Sequence, residues 1–173
     1  MAQVREQLID DHAALDTVLT QLQTALRAGD LRLAHNKLDL FWARLAVHIR
    51  AEHLHLFPTV SSRLQDEGQT VVAQLRKDHD FFMHELARAV DTMRGLLTVS
   101  EPSLVKVGLD NITNTILQVE QRLIKHNEIE ESQVYDLAST LLNSQEQEKL
   151  AKQITTELKK RPPRFDSNTW ANE

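Results

Sequence analysis

The stretch LDLFWARLAVHIRAEHLHLFP, residues 38–58, decides the fold. Leu38, Phe41 and Leu45 recur at the three-to-four spacing of one helix face, and continuing that face brings His48 and then Glu52 onto it. Pro58 predicts a kink or a stop, because its ring clashes with the preceding turn. A helix that turns an imidazole and a carboxylate toward its own apolar side must find some compensation for burying them.

The same periodicity extends in both directions. Leu8, Leu15, Leu19, Leu22 and Leu26 stripe a first segment from about Gln3 to Ala28. Gly29 suits the position after a helix and Asp30 the N-cap of the next. Beyond Gly68, Val72, Leu75, Phe82, Leu86, Val90, Met93 and Leu97 form a third stripe. After TVSEPS, with Ser100 as the expected cap and Pro102 in the first turn, Ile112, Ile116, Val119, Leu123, Leu137 and Leu141 form a fourth. A shorter helix is expected from a capping box at Ser144-x-x-Gln147 to just before Pro162. Four glycines and four prolines are few for an all-β fold, and no strand-like alternation competes. Four long amphipathic helices with short connections predict an all-α, up-down-up-down four-helix bundle. The bundle is assigned to residues 1–142, the extra C-terminal helix to 143–161 and a flexible tail to 162–173.

Each stripe has a polar gap. His12 fills the interval between Leu8 and Leu15, His79 that between Leu75 and Phe82, and His126 with Glu130 continues Val119 and Leu123. With His48 and Glu52, four helices thus contribute four histidines and two glutamates to one layer. There is an internal repeat: DDHAAL and KDHDFF share Asp-His-x-x-apolar, and each His-x-x-x-Glu is followed by an apolar-aromatic pair, Leu56-Phe57 and Val134-Tyr135. A single inward histidine is ordinarily a hydrogen-bonded core residue. Six such groups at one level are another matter. Two buried carboxylates repel and each costs several kcal/mol to desolvate unless neutralised, and four imidazoles need partners. A metal pair removes both problems, with the histidines as terminal ligands and each glutamate able to bridge. Nitrogen and oxygen ligation without sulfur suits non-haem iron, manganese or zinc. Helical phase leaves His53 and His84 exposed and His35 a core or helix-end residue far from His48, while His55 stays open.

Composition excludes other classes. The formal net charge of −5 argues against a nucleic-acid-binding face. The absence of cysteine rules out disulfides, thiolate metal sites and cysteine nucleophiles. MAQVREQLIDDH at 1–12 lacks the apolar core of a signal peptide and no run approaches membrane-spanning length, so a cytoplasmic location without membrane association is expected.

His12, His48-x-x-x-Glu52 with Leu56-Phe57-Pro58, His79, and His126-x-x-x-Glu130-Glu131 together resemble the hemerythrin family in its bacterial HHE cation-binding branch, over residues 5–142. The resemblance implies a four-helix bundle holding two iron ions bridged by Glu52 and Glu130, with manganese or zinc as possible substitutes. Oxygen-carrying members have a second histidine one turn after the helix-three ligand, where this chain has Met83, and an aspartate five residues after the last histidine, where Glu130 stands at four. Lacking cysteine, the chain also differs from members that repair iron–sulfur clusters with a cysteine-bearing N-terminal domain. The expected function is a small-ligand protein for O2, NO or peroxide in stress defence or sensing, rather than a dedicated enzyme. Iron storage or donation, and a helical interaction module with a structural metal, are the alternatives.

Overall fold

The computed structural model describes residues 3–160. Its elements are α1 (Gln3–Ala28), α2 (Leu31–Ala51), a first π turn (Glu52–Leu56), α3 (Phe57–Ser61), α4 (Asp66–Leu96), α5 (Pro102–Ile129), a second π turn (Glu130–Val134), α6 (Tyr135–Leu141) and α7 (Ser144–Leu158). No strand occurs among the described residues. The expected flexible tail at 162–173 lies outside the described residues. No helix among them is long and apolar enough to cross a membrane.

The helix ends follow from local chemistry. Gly29 takes φ 69°, a left-handed conformation that closes α1, and Asp30 accepts from the Leu33 amide to open α2. The cap of α5 is Glu101, not Ser100, with Pro102 leading the helix. The capping box of α7 is shifted the other way, one residue earlier than expected. Asn143 accepts from the Gln145 and Glu146 amides, and Glu146 accepts from the Asn143 amide. Asparagine competes as an N-cap at least as well as serine, which moves the frame by one.

The main departure is at Pro58. The helix does not end there. Instead it widens by one residue, the Phe57 amide donating to the Glu52 carbonyl, and continues as α3 to Ser61. A proline cannot donate to the carbonyl four residues back, and the π turn just before it changes the bonding register around that gap. The second π turn repeats this without a proline, the Tyr135 amide donating to the Glu130 carbonyl. Each π turn therefore begins at a glutamate of the polar layer, and the extra residue turns both members of the following apolar-aromatic pair inward. Leu56, Phe57, Val134 and Tyr135 are all buried.

α1 packs on α2, α2 on α4, α4 on α5 and α5 back on α1, with α7 laid across α1, α2 and the first π turn. Two apolar clusters fill the bundle, one including Leu15, Leu45, Phe82 and Leu123, the other Leu8, Leu56, Leu75 and Val134. Along α1 the change from one to the other falls at His12, from α2 into the first π turn at His48 and Glu52, along α4 at His79, and from α5 into the second π turn at His126 and Glu130. The polar layer lies between two apolar cores. The core that includes Leu8, Leu56, Leu75 and Val134 is completed by Leu150, Ala151 and Ile154 of α7. The buried Glu157 of the same helix holds Arg50 Nε at 2.7 Å and Lys160 Nζ at 2.8 Å.

Candidate metal centre

All six residues of the layer meet, and none is more than 4 % exposed. His12 and His48 bring their Nε2 atoms to 3.1 Å, and His79 and His126 bring theirs to 2.9 Å. The carboxylates lie between these pairs. Glu52 directs Oε1 to His48 Nε2 at 3.4 Å and Oε2 to His79 Nε2 at 3.3 Å. Glu130 directs Oε2 to His12 Nε2 at 3.4 Å, and Oε1 to His126 Nε2 at 2.9 Å and His79 Nε2 at 3.5 Å. Two groups of potential ligand atoms result: His12, His48, Glu52 and Glu130, and His79, His126 and Glu130. Glu52 Oε2 and Glu130 Oε1 are buried without a hydrogen-bond partner. Buried oxygens left in this way, facing nitrogen lone pairs, are what a cation would satisfy. The residues fit a metal.

A second set of side chains fixes the four imidazoles. His48 Nδ1 donates to Asp11 at 2.9 Å, and His126 Nδ1 donates to Asp78 at 3.2 Å. His12 Nδ1 donates to Glu131 at 2.8 Å, while His79 Nδ1 lies 2.8 Å from His53 Nε2. Arg44 and Arg122 steady the two aspartates at 3.1 and 2.6 Å. A carboxylate can only accept, so Nδ1 carries the proton in His12, His48 and His126, and Nε2 is left facing inward as a ligand atom.

His53 therefore differs from its expected exposure. It is half-buried against His79 and Phe57, because the π turn that starts at Glu52 rotates the following residues away from α-helical phase. His84 is exposed as expected. His55 faces α7, 3.6 Å from Glu157, and is absent from both groups of potential ligand atoms. His35 is half-buried on α2, with Nε2 unpartnered.

Tyr135 was legible only as the aromatic of a repeat, yet its hydroxyl is in the layer. It donates to Glu52 Oε1 at 2.6 Å, and lies 3.0 Å from Glu130 Oε2 and 3.0 Å from His12 Nε2. Its pseudo-equivalent Phe57 has no hydroxyl and stacks on His79. Opposite, Leu15, Leu45, Leu123 and Asn127 close over the histidines around a cavity of about 10 Å³. A larger groove of about 810 Å³ between α1, α6 and α7 reaches Tyr135 but none of the six layer residues.

Without metal, protons do the cation's work. Burial opposes charging His48, but Glu52 and Asp11 outweigh it and hold the imidazole well above its usual value. Burial likewise opposes charge on Glu130, yet the adjoining imidazoles of His12, His126 and His79 hold it well below the usual carboxylate range. His126 is raised in the same sense against burial, by Glu130, Glu52 and Asp78. His53 behaves oppositely: burial, then the charges of His79 and Arg76, lower it to about 4. The raised histidines stabilise the fold fully below their unfolded value of 6.5 and lose that contribution as pH rises toward their folded values. His53 costs stability as pH falls from 6.5 toward 4, and Glu130 adds a loss below 4.5. The metal-free protein should thus be most stable near pH 6.5. Metal requires unprotonated Nε2, so added metal should move the optimum to higher pH. Thermal melts from pH 4 to 9, with chelator and with metal, test this; a metal-free optimum above pH 8 would contradict the assignment.

The Hemerythrin HHE cation binding domain model matches residues 3–138. No curated protein and no solved structure gives a significant match. The chain belongs to the hemerythrin HHE cation-binding domain family.

Proposed function

From that membership we propose that the protein is a non-haem di-iron protein that binds or reacts with small ligands (O2, NO or peroxide), in stress defence or sensing. The observation that carries this reading is the disposition of the two carboxylates, each with one oxygen toward His12–His48 and the other toward His79–His126. A carboxylate so placed could bridge two cations. His12 and His48 would hold one iron, His79 and His126 the second, and Glu52 and Glu130 would span both. Bound iron supplies one-electron redox chemistry and coordination positions that the protein leaves free.

The chain's own residues govern access to those positions. Asp11, Asp78, Glu131 and His53 hold the imidazoles with Nε2 inward. Leu15, Leu45 and Leu123 line a cavity of about 10 Å³ beside the histidines, room for about one water-sized molecule. Met83 packs on the larger core cluster, so the second pair keeps two nitrogens rather than three. Four protein ligands per metal would leave positions open, which would favour reaction over reversible storage of O2.

The test is purification from iron-replete cells, metal analysis, anaerobic reduction, and mixing with NO and with O2 while the optical spectrum is recorded. Two irons per chain, a spectral change with NO, and oxidation by O2 that vacuum does not reverse are expected. Folded protein that takes up no iron anaerobically would remove the metal reading, and O2 release under vacuum would make it a carrier.

A further inference from the structure

The site is built from two half-bundles whose site residues correspond position by position. Asp11-His12 on α1 and Asp78-His79 on α4 are equivalent, as are Arg44, His48 and Glu52 and, four residues apart in the same way, Arg122, His126 and Glu130. The contacts follow the same symmetry. Asp11 is held by Arg44 and accepts from His48; Asp78 is held by Arg122 and accepts from His126. The lone histidine of each half reaches across to the residue that follows the other half's glutamate. His12 donates to Glu131, and His79 meets His53.

That crossing contact is where the halves stop matching in charge. Glu131 is a carboxylate and His53 an imidazole at the equivalent position. His79 presents Nε2 to both carboxylates, at 3.3 and 3.5 Å, so as a ligand through Nε2 it carries its proton on Nδ1. His53 must then accept through an unprotonated Nε2, as a neutral ring. A carboxylate accepting from Nδ1–H pushes electron density onto the ligating nitrogen and adds negative charge near the cation; a neutral imidazole does the first weakly and the second not at all. The first pair, His12–His48, is backed by two carboxylates, and the second, His79–His126, by one.

We infer that the two metal positions are unequal, the His12–His48 position filling first and the His79–His126 position holding the more weakly bound ion, with His53 in place of a carboxylate as the cause. This rests on the two-metal reading above. Exchange of one partner of this kind changes metal affinity by roughly 10–100-fold, so the two steps should differ by about tenfold or more. His53 and Glu131 act through the imidazoles they hold and are positioning residues.

The probe is Mn(II), which needs no control of oxidation state, titrated into chelator-treated full-length protein with calorimetry or competition against a chelator of known affinity. Wild type should show two steps. His126→Ala should remove the weak step and His48→Ala the tight one. His53→Glu should strengthen the weak step until the two approach each other, whereas His53→Gln, which keeps a neutral acceptor, should leave the gap. His84→Glu places the same charge on the exposed surface of α4 and should change neither step. If His53→Glu does not fold, Glu131→Gln gives the converse: it should weaken the tight step about tenfold or more, while Glu131→Asp retains most of it. Equal steps in wild type, or a gap unchanged by both His53→Glu and Glu131→Gln, would overturn the inference while leaving the two-metal reading intact. Failure to bind Mn(II) or Fe(II) at all would fall on that reading instead.

Discussion

Glu130→Ala is expected to purify almost free of iron, against two ions per chain in the unmodified protein, and Glu52→Ala nearly so. Glu130 is the residue common to both groups of potential ligand atoms, with Oε1 on His126 and His79 and Oε2 on His12. On the two-metal reading, two divalent cations would bring four positive charges into a layer that holds two carboxylates. Removing one leaves buried charge uncompensated, at a cost of roughly 3–5 kcal/mol, or about two to four decades in affinity. Outer partners matter less: Glu131→Ala should weaken binding roughly 10–100-fold and keep iron at high concentration. Glu130→Gln preserves volume and serves as the variant if alanine does not fold. Metal analysis with circular dichroism reads both results. A well-folded Glu130→Gln protein that retains two irons would exclude Glu130 as a bridge.

How these groups converge was partly legible in the sequence. Period alone put His12, His48, Glu52, His79, His126 and Glu130 on inward faces, because an α-helix keeps its phase up to the layer. Past each glutamate that phase fails. The π turns add a residue in the helix, so extrapolating at 100° per residue sends His53 outward when it in fact meets His79. The repeat itself carried the missing signal. Two Asp-His pairs and two Arg-x-x-x-His-x-x-x-Glu runs are more than the ligands alone require, and Asp11, Asp78, Arg44 and Arg122 turn out to hold the imidazoles. Nothing in periodicity tells that Asp11 reaches His48 rather than solvent, since that contact crosses between helices. Pro58 misled for a related reason: proline forbids one hydrogen bond, and the chain answered by changing the bonding register rather than ending the helix.

Tyr135→Phe should destabilise the metal-free protein far more than the metal-loaded one. The Tyr135 hydroxyl is buried, and burial followed by the charges of Glu130 and Glu52 holds its own ionisation well above the usual phenol range, so it remains a donor. Without metal it donates to Glu52 Oε1 at 2.6 Å and stands 3.0 Å from Glu130 Oε2, supplying to buried carboxylates part of what a cation would supply. Hydrogen bonds to charged groups are worth about 1.5–3 kcal/mol, and 1 kcal/mol shifts the melting temperature of a domain this size by roughly 2–4 °C. Deleting the hydroxyl should therefore lower the metal-free melting temperature by about 3–12 °C. With iron bound, the same oxygens are satisfied by the cations and the loss should shrink to a fraction of that. By linkage, metal addition must then raise the melting temperature more in the variant than in the unmodified protein. Melts of both proteins with chelator and with Mn(II) decide it. An equal drop in both states would mean that Tyr135 only fills space. Loss of visible absorption from the ferric protein on Tyr135→Phe would instead make the phenol a ligand, and the His12–His48 position would then have one more oxygen than its partner, where the pseudo-equivalent residue is Phe57.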